Sequence, residues 1–313
     1  MIYRWNHLTL FDRNLVYYLF ALSVLIVIFH QNVEKWWNYL ALQIGFTLAL
    51  FVVMPWLDQQ EQRLLRFLRY WYVILAFPLL YWHVGLLIHL IFPGEFDPLI
   101  IETERLLFGG LPNLWIQRYV SQTLTEVMQI AYVTYWVTIP LAGAVFYFGK
   151  QYRLFEALFH YVTIIFFLCS AMFIIFPVAG PRFYMANQIS VTYQGIFIGN
   201  HLRNFVNEVA FRGGAFPSLH VGAAVMILVF MWKFRRKTAI FAFLPLMIAL
   251  SLSTIYGQYH YATDVLAGIT VGLAMGLWAN KRMGKIISLR GDVYPPAHQL
   301  DGSVPGSHPD PCW

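Results

Sequence analysis

Charge is what this 313-residue sequence has least of. Asp, Glu, Lys and Arg make up 12% of it, about half the share usual in a water-soluble domain, while 59% is hydrophobic and 18% aromatic. That balance excludes an ordinary soluble enzyme and a disordered chain alike. Cysteine is scarce too: Cys169 lies in an apolar run and Cys312 in a polar tail, so no disulfide framework is expected. A penultimate Cys312 does not fit a prenylation box. The first apolar run, Asn14 to Phe29, lacks a small-residue cleavage site and reads as a membrane helix, not a cleaved signal. No internal repeat is present, and no connection is long enough to hold a separate soluble domain.

Long apolar runs are what the chain has instead. Crossing about 30 Å of hydrocarbon takes roughly 20 residues per helix, and suitable runs fall near 14–30, 36–55, 70–92, 122–148, 155–177, 218–234, 239–256 and 261–280. The expected fold class is all-α, a polytopic membrane bundle of about eight helices. Pro78, Pro140 and Pro245 fall inside such runs, where neighbouring groups can satisfy the carbonyls they free. The net charge of +6 could suggest a nucleic-acid partner, but the Lys and Arg positions speak for membrane orientation. Of the 21, only Lys35, Arg105, Arg118, Arg182, Arg203 and Arg212 flank the helices on one side; the other fifteen lie on the opposite side. The rule that cytoplasmic loops hold the positive excess places both termini in the cytoplasm. Beyond Leu289 the sequence turns to Pro, Gly, Asp, Ser and His, composition that cannot build a core. A disordered cytoplasmic tail is expected over 285–313, with His298 and His308 as bystanders.

Two connections on the non-cytoplasmic side are long. In Pro93 to Ser121, Glu95, Asp97, Glu102 and Glu104 precede a Leu-rich segment and Trp115, a pattern expected to lie along the membrane surface with the Trp as anchor. In Val178 to Phe216, Leu202, Phe205, Val206 and Val209 recur at helical spacing between polar residues. They predict an interfacial helix roofing a site.

Three polar islands fall on that same side. They are Pro177 to Tyr184, Gly213 to His220, and Ser253 to Asp264. Taken singly, each has a structural explanation: Arg182 solvated or on lipid headgroups, His220 hydrogen-bonded near a helix start, Gly213-Gly214 and Pro217 a turn into a helix. Together they suit phosphoryl transfer. The helix start at Ser218 and Leu219 offers free amides, a positive dipole end and a hydroxyl to phosphate oxygens, and Arg182 adds a charged bidentate fork. His260 and Asp264, four apart, share one helix face, so the carboxylate can orient the imidazole for attack on phosphorus while His220 protonates the departing oxygen. No metal or other cofactor is needed. A three-ligand zinc-type set of His220, His260 and Asp264 is the alternative, set against the positive charge that Arg182 and the helix start place beside it.

These residues resemble the type 2 phosphatidic acid phosphatase superfamily, which is organised around Lys-x6-Arg-Pro, Pro-Ser-Gly-His and Ser-Arg-x5-His-x3-Asp. The second motif stands here as Pro217-Ser218-Leu219-His220; the third runs from Ser253-Thr254 through His260 to Asp264. The resemblance implies a six-helix catalytic core, 70–284, with 1–69 as an N-terminal two-helix addition. It also implies a His260 nucleophile carrying phosphohistidine, Asp264 as its orienting partner, His220 as acid and base, and Arg182 and Ser218 as phosphate ligands. Ile175 replaces the first-motif Lys, Pro181 precedes Arg182 instead of following it, and Thr254 replaces the third-motif Arg. A cradle with fewer cations suits a singly charged phosphodiester better than a phosphomonoester. Gly-Ala-Phe-Pro-Ser-Leu-His, with Thr after the third-motif Ser, is most similar to the inositol phosphorylceramide synthase branch. The expected activity is transfer of a phospho-headgroup from a phospholipid to a lipid alcohol. With water as acceptor the same site would be a lipid phosphate phosphatase or phospholipase. A non-enzymatic lipid-binding or transport bundle is the reading from a different class.

Overall fold

The computed structural model describes Trp5 and residues 7–289. Among these no strand occurs, and ten helices of more than ten residues carry the architecture. They are α1 Leu10–Ile28, α2 Trp36–Asp58, α3 Arg63–Gly85, α4 Asp97–Phe108, α5 Gln122–Phe148, α6 Tyr152–Ile175, α7 Gly199–Val209, α8 Leu219–Phe234, α9 Leu244–Tyr256 and α10 Ala262–Leu289. Their starts follow local chemistry. Thr9 and Asp12 form a reciprocal capping box at α1, and the Ser121 hydroxyl accepts from Leu124 N–H at α5, each satisfying orphan amides of a first turn. Ahead of α9, Ala239–Phe243 is π-helical, next to the place where Pro245 lacks the N–H that the regular ladder needs.

Among the described residues seven helices are long and apolar enough to cross a membrane, counting Arg236–Tyr256 as one; the chain is an integral membrane helical bundle. The span expected at 218–234 is the shorter α8 of 16 residues, bounded by the Ser218 cap and by the break at Arg235. α3 starts at Arg63 instead of near 70, because Arg63, Arg66 and Arg69, excluded from an apolar run, are good helix formers. It stops at Gly85, where a Cβ would lie 2.3 Å from the Phe211 ring. The expected tail begins as a continuation of α10 to Leu289; its remainder, with His298, His308 and Cys312, lies outside the described residues.

α1, α3, α6 and α8 share one core built on residues such as Leu15, Phe77, Phe166 and Ile227, and the Tyr18 and Phe167 rings stack at 3.9 Å. α8 and α10 meet along a glycine seam. A Cβ at Gly268 would lie 2.6 Å from the Ser218 carbonyl oxygen, one at Gly272 2.4 Å from that of Gly222, and one at Gly276 2.7 Å from Val229 Cβ. Glycine there lets the two backbones touch, as in other close membrane crossings. α3 and α5 converge at one end, where Trp71 meets Tyr147 at 5.5 Å. Toward the other end, a cavity of about 460 Å³ is lined by Ile74, Phe77 and Tyr81 of α3 and by Tyr132, Tyr135 and Ile139 of α5.

Candidate active site

The three polar islands meet at the wall of this cavity, to which they bring Arg182, His220 and His260. Val178 and Gly214 form an isolated parallel bridge, in which Val178 N–H donates to the Gly213 carbonyl at 3.0 Å and Ala215 N–H to that of Val178 at 2.9 Å. This short pairing joins the first island to the second. Arg182 N–H donates to the Gln258 carbonyl at 3.0 Å, which joins the first to the third. Gly180 must be glycine, since it holds φ +88° and a Cβ would sit 3.0 Å from the Tyr259 carbonyl oxygen. Gln258 holds φ 63°, a conformation costly for a non-glycine residue. Its side chain is locked in place, donating to the Asn113 carbonyl and the Tyr193 hydroxyl, each at 2.8 Å.

His260 follows that turn and is 3% exposed. Its Nδ1 lies 2.9 Å from the Ala215 carbonyl oxygen, which can only accept, so Nδ1 carries the proton and Nε2 keeps its lone pair. The expected orienting partner, Asp264, is further away, Oδ2 being 3.5 Å from Nδ1, while that oxygen accepts from Tyr261 N–H at 2.8 Å. The nearest anchor of the imidazole is thus a backbone carbonyl, with the carboxylate behind it. Nε2 faces His220 Nδ1 at 3.4 Å. Burial, with a smaller contribution from the Arg182 charge, pushes the His260 imidazole down to about 3, so the ring is neutral at physiological pH.

His220, in the first turn of α8, packs edge-on against Tyr135 at 4.4 Å between ring centroids, and its Nε2 is 3.5 Å from the Tyr132 hydroxyl. Arg182 lines the same cavity and lies 5.0 Å from the Tyr259 ring centroid, with its Nε lacking a protein partner. Leu219 also lines it. Ser218 is fully buried, its hydroxyl 3.5 Å from Val221 N–H as the α8 cap. Two other arginines do not supplement Arg182: Arg212 is paired with Glu95 at 2.5 Å, and Arg203 reaches the Gly257 carbonyl at 3.2 Å. Thr254, standing where the family motif has Arg, is buried. Among the described residues no group of three His, Cys, Asp or Glu is gathered as a metal-binding set. Asp264 lies on the Nδ1 side of His260 and His220 on the Nε2 side, so the three do not converge on one point.

α7 roofs the cavity with Val206 and Val209, as its spacing predicts. It is fixed by a residue that the sequence reading passed over. The Glu126 carboxylate of α5 accepts backbone N–H bonds from Ile196, Phe197, Ile198 and Gly199 at 2.8 to 3.1 Å, and so ties the start of α7 to a membrane helix. The signal available was the charge itself, since an ionisable residue within an apolar run is costly and calls for a partner. Asp97, Glu104 and Asn113, also passed over as site residues, brace the His260 turn.

A buried imidazole, a second imidazole and an arginine thus line one largely apolar cavity. The model of the PAP2 superfamily matches residues 99–278, more than half of the sequence and all three islands. The chain belongs to that superfamily, whose helical membrane members act as lipid phosphatases or phosphotransferases. No curated protein and no solved structure matches it.

Proposed function

We propose that the protein is a lipid phosphotransferase working through phosphohistidine, which moves a phospho-headgroup from a phospholipid to a lipid alcohol. The observation that carries this is the unprotonated His260 Nε2 facing His220 Nδ1 at 3.4 Å, beside Arg182 in a largely apolar cavity. In the first half-reaction, Nε2 attacks phosphorus, the P–N bond forms as the P–O bond to the departing lipid alcohol breaks, and His220 gives that oxygen its proton. In the second, His220 takes the proton of the acceptor hydroxyl, whose oxygen attacks phosphorus. The P–N bond then breaks and Nε2 recovers its electron pair. Asp264 and the Ala215 carbonyl hold the proton on Nδ1, and Arg182 offsets charge building on the phosphoryl oxygens.

Arg182 is the one Lys or Arg lining the cavity among the described residues. A single fixed cation favours a phosphodiester donor, in keeping with the resemblance to the inositol phosphorylceramide synthase branch. The catalytic core under this reading is α3, α5, α6 and α8–α10, with α1 and α2 as an addition. The site faces the non-cytoplasmic side, with both termini cytoplasmic.

The test is incubation of purified protein with labelled phospholipid, with and without a lipid alcohol. Label should pass to the alcohol, and His260→Ala and His220→Ala should each lower the rate on the order of 100-fold or more. Release of free phosphate from a monoester alone would overturn the transferase reading. Parent rates in both variants would overturn the catalytic assignment in favour of a binding or transport bundle.

A further inference from the structure

The acidic connection between α3 and α5 has no role in the chemistry above, yet its carboxylates reach the catalytic segments. α4 buries Asp97, Ile100 and Glu104, spaced so that all three share one face. Its outward side exposes Leu99, Leu106 and Leu107 beside Glu102 and Arg105. Two fully buried carboxylates are expensive unless donors satisfy them.

Asp97 has three such donors. Oδ2 accepts from Ala179 N–H at 2.7 Å, and Oδ1 from Gly180 N–H at 3.0 Å and from the Tyr261 hydroxyl at 2.9 Å. Ala179 and Gly180 belong to the segment that carries Arg182, and Tyr261 directly follows His260. One carboxylate therefore ties the phosphate-binding arginine's segment to the nucleophile's. One turn past Ile100, Glu104 Oε1 accepts from Thr263 N–H at 3.0 Å, at the start of the helix that bears Asp264. Asn113, past the end of α4, donates to the His260 carbonyl at 3.1 Å. Burial raises both the Asp97 and Glu104 carboxyls, while backbone N–H bonds act in the opposite direction.

We propose that α4 is a positioning clamp in which Asp97 and Glu104 set the register between Arg182 and His260 without touching substrate. The inference rests on the phosphohistidine reading. The Asp97 carboxylate suits the task because its two oxygens hold N–H and O–H donors from two different segments at once, which an amide at the same place cannot.

The test is rapid-quench labelling of purified protein with phosphorus-labelled phospholipid. It reads two quantities separately: the amount of labelled protein, which counts competent sites, and the turnover per labelled site. A misplacement of about 1 Å can lower a rate on the order of 100-fold, so Asp97→Asn should lower turnover per site between roughly 10- and 100-fold with labelled protein per folded molecule unchanged. Tyr261→Phe, which deletes one hydrogen bond and little volume, should show a smaller fall of the same kind and serves if Asp97→Asn does not fold. Glu104→Ala should lower turnover and Glu104→Gln should restore it, because its amide oxygen still accepts from Thr263 N–H. Exposed Glu102 is the control, and Glu102→Gln should keep the parent's turnover. Losses lying wholly in the amount of labelled protein, or turnover within about twofold of the parent in Asp97→Asn and Tyr261→Phe, would overturn the clamp. Absence of labelled histidine in the parent would overturn the phosphohistidine reading, and the clamp with it.

Discussion

Gly268 of α10 lies one turn beyond Asp264 and directly against the Ser218 carbonyl of α8. An alanine Cβ there would be 2.6 Å from that oxygen and 3.3 Å from Ser218 Cβ. Both neighbours belong to a capped helix start, not to the free end of a flexible side chain. The helices must part by roughly 0.5 to 1 Å to restore an ordinary contact, and that displacement falls between His220 on one side and His260 and Asp264 on the other. Overpacking of this kind costs about 1 to 3 kcal/mol, and a shift of that size at a reacting centre can cost on the order of 100-fold in rate. Gly276→Ala provides the comparison, since its Cβ would lie 2.7 Å from Val229 Cβ, two turns further from His220 and His260. Thermal unfolding in detergent should show similar losses for the two variants, whereas phosphotransfer per folded molecule should fall much further in Gly268→Ala. Equal activity losses in the two, or parent activity in Gly268→Ala, would refute the link between seam and site.

Two further predictions concern pH and orientation. His260 is depressed to about 3 from an ordinary value near 6.5, so the unfolded chain binds its proton first. The stability this contributes is present above about pH 6.5 and is lost as pH falls toward 3; the parent's Tm should therefore fall more steeply from pH 7 to 4 than that of His260→Gln, and parallel profiles would contradict it. A cysteine at exposed Glu102 should react with an impermeant thiol reagent from outside intact cells; reaction only after lysis would reverse the orientation.

The helices of the bundle were legible because the membrane imposes a length and a polarity on each of them. At 122–148 both ends agree with the structure, since Ser121 caps the start and Gly149-Lys150 ends the apolar run. α7 was legible from the 3.6-residue recurrence of Leu202, Val206 and Val209. α4 was legible only in part from its composition: its exposed Leu residues suit a surface segment, while Asp97 and Glu104 turn inward to partners such as Ala179, Tyr261 and Thr263. Those partners lie more than 80 residues away, and no local periodicity records them. The same limit hid the Ala215 carbonyl, which sits nearer to His260 Nδ1 than Asp264 does although Asp264 shares the helical spacing. Backbone acceptors leave no mark on side-chain patterns. The glycine seam at 268, 272 and 276 was present in the sequence at regular four-residue spacing, but only the facing residues of α8 show why each position excludes a side chain.

The shortness of α8 has a physical reach beyond the bundle. Its 16 residues extend about 24 Å, against about 30 Å of hydrocarbon. With Lys233 and Arg235 at one boundary, a helix of this length would leave Ser218 and His220 several ångströms short of the other. Under the proposed mechanism phosphoryl transfer would then take place beneath the headgroup plane, where a water molecule must descend and a lipid must rise. The depth of that plane is set by the acyl chains of the surrounding bilayer, so membrane thickness would become a variable of catalysis, and the lipids around the protein would act as part of its solvent as well as its substrate pool.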